Sequence, residues 1–140
     1  MLNIILEASQ NFCIHQIREP HVVLDYTNKM RTVIAYVDIT MISGKKHRVY
    51  VGATLDFAQR VTTTLLEEDD SDEETLIDMV LELTNLIVGS AKVIAQNMPE
   101  CSYTMATPCF EKIDTFDIKH NEAKTIKVGN DEMIIAIKEI

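Results

Sequence analysis

The sequence predicts an α+β fold in which a largely antiparallel β-sheet packs against two long helices. Three observations carry that expectation. Segments rich in β-branched and aromatic residues occur at 21-HVVLDY-26, 31-RTVIAYVDITM-41 and 47-HRVYVGA-53, and again at 102-SYTMAT-107, 124-KTIKV-128 and 132-EMIIAIKEI-140. Between the two sets lie two stretches with helical apolar spacing, about residues 55–66 and 72–97. Turn signals at 43-SGKK-46 and 129-GND-131 join neighbouring strand segments. Strands clustered around central helices indicate an α+β arrangement.

Taken in order, residues 2–18 show a helical pattern, with Ile5, Phe12 and Ile17 among its apolar members, that stops before Pro20. The basic run 45-KKHR-48 reads as a hairpin tip between two strands. A helix from about Leu55 to Leu66 places Phe57, Ala58, Val61 and Leu65 on one side. The single composition shift is 67-EEDDSDEE-74, a loop followed by a helix start, where Ser71 and Glu74 have capping-box spacing. Acids in that first turn suit the helix dipole. They lack the alternating Asp spacing and central Gly of a Ca²⁺ loop. The long helix ends near Pro99. With no internal repeat and no Pro/Gly/Ser-rich linker, residues 1–140 are expected to form one domain.

Composition excludes several function classes. The chain has 140 residues, 46% of them hydrophobic, and a net charge of −9. Such an acidic chain is a poor partner for nucleic acid, whose phosphates require clustered Lys and Arg. No segment approaches the ~20 apolar residues that span a bilayer. The start, MLNIILEASQNF, lacks a basic region and a small-residue cleavage site, so no signal peptide is expected. Cys13, Cys101 and Cys109 are odd in number and have no CxxC spacing, which points to free thiols and a cytoplasmic location.

The most informative stretch is 78-DMVLELTNLIVG-89, because Asn and Gly are poor residues for the middle of a helix. At ~100° per residue, with Asp78 at zero, Glu82 falls near +40°, Asn85 near −20° and Gly89 near +20°. Leu76, Met79, Val80, Leu83, Ile87, Ala91, Ile94 and Met98 fall on the opposite, core side. The four unusual residues therefore line a ridge facing away from the core. Its shoulders are apolar, Leu81 and Val88 on one side and Leu86 and Val93 on the other, as expected of a covered or docking surface. Gly89, lacking a Cβ, would permit close approach.

No His or Cys stands at ligand spacing beside Glu82, so no metal site is expected in this chain. There is no nucleophile with an evident His/Asp relay, and no Gly-rich phosphate loop follows a strand. A carboxamide, however, both donates and accepts hydrogen bonds, and an amide orients the attacking water in GTPase phosphoryl hydrolysis.

The order D78-MVL-E82-LT-N85-LIV-G89 resembles the helix motif of the CheC/CheX/FliY chemotaxis phosphatases, position for position. The strand hairpin and helix over 47–66, and 107-TPCFEKID-114 with its Thr-Pro pair, resemble the family's flanking segments. One ExxN copy fits the CheX type better than the CheC type. Leu81 departs from the family, which usually has Gly before the Glu.

The resemblance implies a phosphatase acting on the phospho-aspartate of a CheY-like response regulator. Asn85 would orient the water and Glu82 would pair with the regulator's lysine. Asp78, Leu81, Leu86 and Gly89 would contact the regulator. Mg²⁺ would be supplied by that partner, and two copies would pair through sheet edges as a homodimer. The competing expectation is a module of the same fold that binds receiver domains without catalysis, as an adaptor or at the flagellar switch.

Overall fold

The computed structural model describes residues 1–27 and 29–140. Helix α1 (Leu2–Phe12) buries Leu2, Ile5, Ala8 and Phe12, a spacing of three to four residues that puts all four on one stripe. It widens into a π-type turn over Cys13–Ile17 and stops at Arg18, whose left-handed backbone (φ 61°) lies two residues before Pro20. Strand β1 (Val22–Leu24) follows, then a long hairpin of β2 (Arg31–Met41) and β3 (Lys46–Thr54). Helix α2 (Leu55–Leu66) begins directly from β3, with the Thr54 side chain accepting from the Phe57 N–H at 3.2 Å. Helix α3 (Glu73–Ala95) precedes β4 (Tyr103–Met105), β5 (Cys109–Thr115), β6 (Glu122–Val128) and β7 (Asp131–Glu139).

The strands form one sheet in the order β1–β6–β7–β3–β2, with β4 and β5 both pairing with β2 along its outer edge. Every pairing is antiparallel. Side chains alternate across a strand. Val33, Ala35, Val37 and Ile39 of β2 therefore face the helices and join the main core. Ile34 faces the other way, into a smaller cluster with Tyr50, Phe116, Ile134 and Ala136. Phe116 reaches it from the β5–β6 crossover, which passes over this second face. Gly52 leaves room for the ring: a Cβ there would sit 3.2 Å from Phe116 Cδ2.

Three helices, not two, cover the main face, because the N-terminal helix packs against α3 and contributes to the same core. No helix among the described residues is long and apolar enough to cross a membrane. The strand expected over 102–107 is confined to Tyr103–Met105, and β5 is an additional strand. Helix α3 ends at Ala95, so Met98 lies beyond it and is exposed rather than in the core. Val88, placed on a shoulder by the helical wheel, is fully buried under β4, where its carbonyl accepts the Tyr103 hydroxyl at 2.6 Å.

The N-cap of α3 also differs from the capping-box expectation. Asp72, not Ser71, caps the helix, its carboxylate accepting from the Thr75 N–H at 2.9 Å. The Ser71 N–H instead donates to Gln59 Oε1 at 2.9 Å, holding the acidic loop against α2. The Thr75 hydroxyl and N–H together keep the Asp72 carboxyl below its ordinary range. A depressed native pKa stabilises the fold above the ordinary aspartate pKa and loses that contribution as pH falls through the native value. Asp72→Ala should therefore lower the urea midpoint at neutral pH more than Ser71→Ala does. The gap between Asp72→Ala and the unsubstituted chain should close in acid.

Candidate functional site

Helix α3 is long enough to cross the sheet because its inward face is a nearly unbroken apolar stripe. Val80, Leu83, Ile87, Val88 and Ala91 are fully or almost fully buried. That stripe sets the rotation of the helix. Residues half a turn away must then face outward, which is where Asp78, Glu82 and Asn85 are found, all exposed. No side chain among the described residues forms a hydrogen bond or ion pair with any of the three. Three adjacent polar groups thus have no work inside the chain.

Asp78, Leu81, Glu82 and Asn85 line one wall of an open groove of about 520 Å³. Residues 105–108, where β4 ends and the chain turns toward β5, line the other. Leu81 is half-buried: it packs against the core and forms part of this wall at once. The groove carries two carboxylates, and no Lys, Arg or His lines it. Its charge suits an incoming cation.

The remaining expected contact residues are placed differently. Leu86, 40% exposed, lines a second hollow of about 380 Å³ between α1 and α3, together with Phe12 and Leu65. It flanks the ridge rather than entering the groove. Gly89 lies farther along the ridge, and a Cβ built on it meets nothing within 4 Å. The structure therefore gathers four of the six expected residues in one groove and leaves two beside it. The wall at residues 105–108 is the part the helix pattern alone does not reveal. Its sequence signal is the Thr107-Pro108 pair, which interrupts an edge strand.

Among the described residues, no three His, Cys, Asp or Glu side chains converge as metal ligands. Cys13, Cys101 and Cys109 are free thiols, and burial pushes Cys13 up to about 11, which keeps it protonated at neutral pH.

Residues 36–129 match the sequence profile described as chemotaxis phosphatase CheX. Among solved structures, the chain is similar to a chemotaxis protein CheX from Desulfovibrio desulfuricans, with 23% identity and a TM-score of 0.77 over 99% of this chain and 97% of that one. The CheX of Vibrio vulnificus gives 18% identity and a TM-score of 0.77, with the same coverage. A CheX–CheY–BeF3–Mg²⁺ complex from Borrelia burgdorferi contains a chain with 18% identity and a TM-score of 0.69, covered 99% and 97%. At these identities the likeness is one of fold. No curated protein sequence matches.

No described residue occupies the space above Gly89, so Gly89→Ala should raise stability by about 0.5–1 kcal/mol through helix propensity. Chemical denaturation checks this, and a loss of stability would mean that the position is constrained from within.

Proposed function

The chain belongs to the CheX family of chemotaxis phosphatases, and from that premise we propose that it hydrolyses the phospho-aspartate of a CheY-like response regulator. The observation that carries this reading is the exposed pair Glu82 and Asn85. It lies on a ridge whose rotation is set by the core, it has no partner among the described residues, and it faces an acidic groove open to a docking protein.

The chemistry asked of this chain is small. Water attacks phosphorus, the bond from phosphorus to the aspartyl oxygen breaks, and the leaving electrons restore the regulator's carboxylate. The two protons of the water remain with the released dihydrogen phosphate. The Asn85 carboxamide oxygen accepts a hydrogen bond from that water, while its NH₂ donates to a phosphoryl oxygen, holding the two in line. Glu82 pairs with the regulator's active-site lysine and so places the ridge. Mg²⁺ would be held by the phosphorylated regulator, where it would offset phosphoryl charge. Asp78 adds negative potential at one end of the groove, and Gly89 admits close approach of the regulator farther along the helix.

A pure docking module would need the carboxylate and the open surface, but it would have no use for an amide at Asn85. That position favours hydrolysis over binding alone. Asn85→Ala should cut stimulated phosphate release by on the order of 10²–10³, or about 2.7–4 kcal/mol of barrier, with an unchanged circular dichroism spectrum. Glu82→Ala should chiefly raise KM. Full activity in Asn85→Ala would remove Asn85 from the hydrolysis, and no stimulated release by the unsubstituted chain would leave binding alone.

Pairing of two copies along the outer edge of β5, beyond residues 107–108, is part of the same proposal. Phe110, 43% exposed, lies on that edge. Phe110→Glu should lower the mass measured by sedimentation; an unchanged mass excludes this edge as the interface.

A further inference from the structure

The edge strand that forms the second wall of the groove is broken where it faces the ridge. Strand β4 pairs with β2 through Ile39–Met105, and the Ala106 N–H still reaches the Asp38 carbonyl at 2.9 Å. Strand β5 resumes with Tyr36–Cys109, one residue out of step with β4. Thr107 and Pro108 therefore lie opposite Val37 alone, as a bulge.

The partner strand does not cause this break. On its other side β2 pairs with β3 without interruption from Thr32–Thr54 to Thr40–Lys46. The cause is local to the bulge. Pro108 has no N–H to give the ladder, and its ring holds Thr107 extended. Both residues line the groove shared with Glu82 and Asn85. Thr107 is exposed, and its hydroxyl has no hydrogen-bond partner among the described residues. Among the described residues it is the fourth polar side chain in the groove without an internal partner, and the other three come from α3.

We infer that the Thr107–Pro108 bulge is a second recognition element for the phosphorylated regulator and that Thr107 is a positioning residue for the hydrolysis. This rests on the phosphatase reading above. A regulator whose phospho-aspartate reaches Asn85 has its flanking loop in the groove, between the ridge and the bulge. One wall alone leaves that loop free to slide along the helix. A hydroxyl on the opposite wall fixes its height against Asn85 by hydrogen-bonding a backbone group of the loop. Pro108 keeps the wall rigid, so little order has to be gained on docking. Thr107 touches the docking loop and not the reacting atoms, so its effect falls on assembly of the complex.

The test uses the full chain with two probes: a receiver domain loaded with beryllofluoride and Mg²⁺ for binding, and the same domain phosphorylated for turnover. Thr107→Val keeps the shape and removes the hydroxyl; Thr107→Ser keeps the hydroxyl. The expected result for Thr107→Val is a KM and a Kd for the beryllofluoride form raised by on the order of two- to tenfold, with kcat within about twofold. Thr107→Ser should return both toward the original values. Unchanged KM and Kd in Thr107→Val would overturn the inference, as would a loss confined to kcat or a failure of Thr107→Ser to restore binding. Asn85→Ala and the unsubstituted chain, run in parallel, separate the two claims. If the unsubstituted chain stimulates no phosphate release, the phosphatase reading falls; if Asn85→Ala stays active, the role given to Asn85 falls. If Asn85→Ala is inactive while Thr107→Val behaves as the unsubstituted chain, only the recognition wall falls.

Discussion

The groove and everything proposed for it depend on the rotation of α3 about its own axis. A helix lying on a sheet can roll if its apolar face is broad, and a roll of one residue, ~100°, would carry Asn85 out of the groove. Two constraints oppose that roll. Val80, Leu83, Ile87 and Ala91 form a buried stripe that mates with the helix-facing residues of β2 and β3. On the flank, the buried Tyr103 hydroxyl donates to the Val88 carbonyl at 2.6 Å, tying the helix to β4. Burial raises the Tyr103 phenol well above its usual range, which keeps the hydroxyl protonated and able to donate at neutral pH.

The same contact joins the two walls of the groove. Tyr103 is the first residue of β4, and Met105, two positions later, lines the groove opposite Leu81 and Glu82. The edge strand is thus anchored at its start and released at Thr107, so its irregular part sits where an outside partner can reach it. The opposite face of the sheet needs no such opening. Phe116 closes it by packing edge-to-face on Tyr50, with ring centroids 6.2 Å apart, over the space left by Gly52.

Much of this was legible in the sequence, and each miss has a physical cause. The α3 stripe and its outward ridge follow from helical spacing alone, and Leu83, Ile87, Glu82 and Asn85 lie where the wheel puts them. The strands that became β2, β3 and β7 are long and rich in β-branched residues, which is why their positions were readable. Strand β5, Cys109–Thr115, carries Glu111, Lys112 and Asp114, because an edge strand with solvent on one side has little apolar pattern to show. Val88 could not be placed by any wheel, since β4 buries it from the side and periodicity carries no information about neighbours. The Asp72 cap lost to Ser71 in the capping-box reading because Gln59, twelve positions earlier, takes the Ser71 backbone. The misplacement of Val88 and of the cap both involve contacts between segments distant in sequence, whereas Met98 is exposed because the helix ends at Ala95.

The cost of Asn85 and Gly89 in mid-helix can now be set against what holds the helix. Most helical stability in proteins comes from packing of the apolar face rather than from propensity. With nine residues of α3 buried, two poor formers on the outer face remove only a small part of that total. Among the described residues they return nothing for it: Asn85 has no partner, and Gly89 has open space where a Cβ would fit. Local rules broken without an internal gain are expected at functional sites. Thr107 and Pro108 satisfy the same criterion on the facing wall, since a continuous edge strand would pair more completely with β2. The ridge and the bulge are separated in sequence and built from different secondary structure. They are alike in being unfavourable for the fold, and they face each other across one groove.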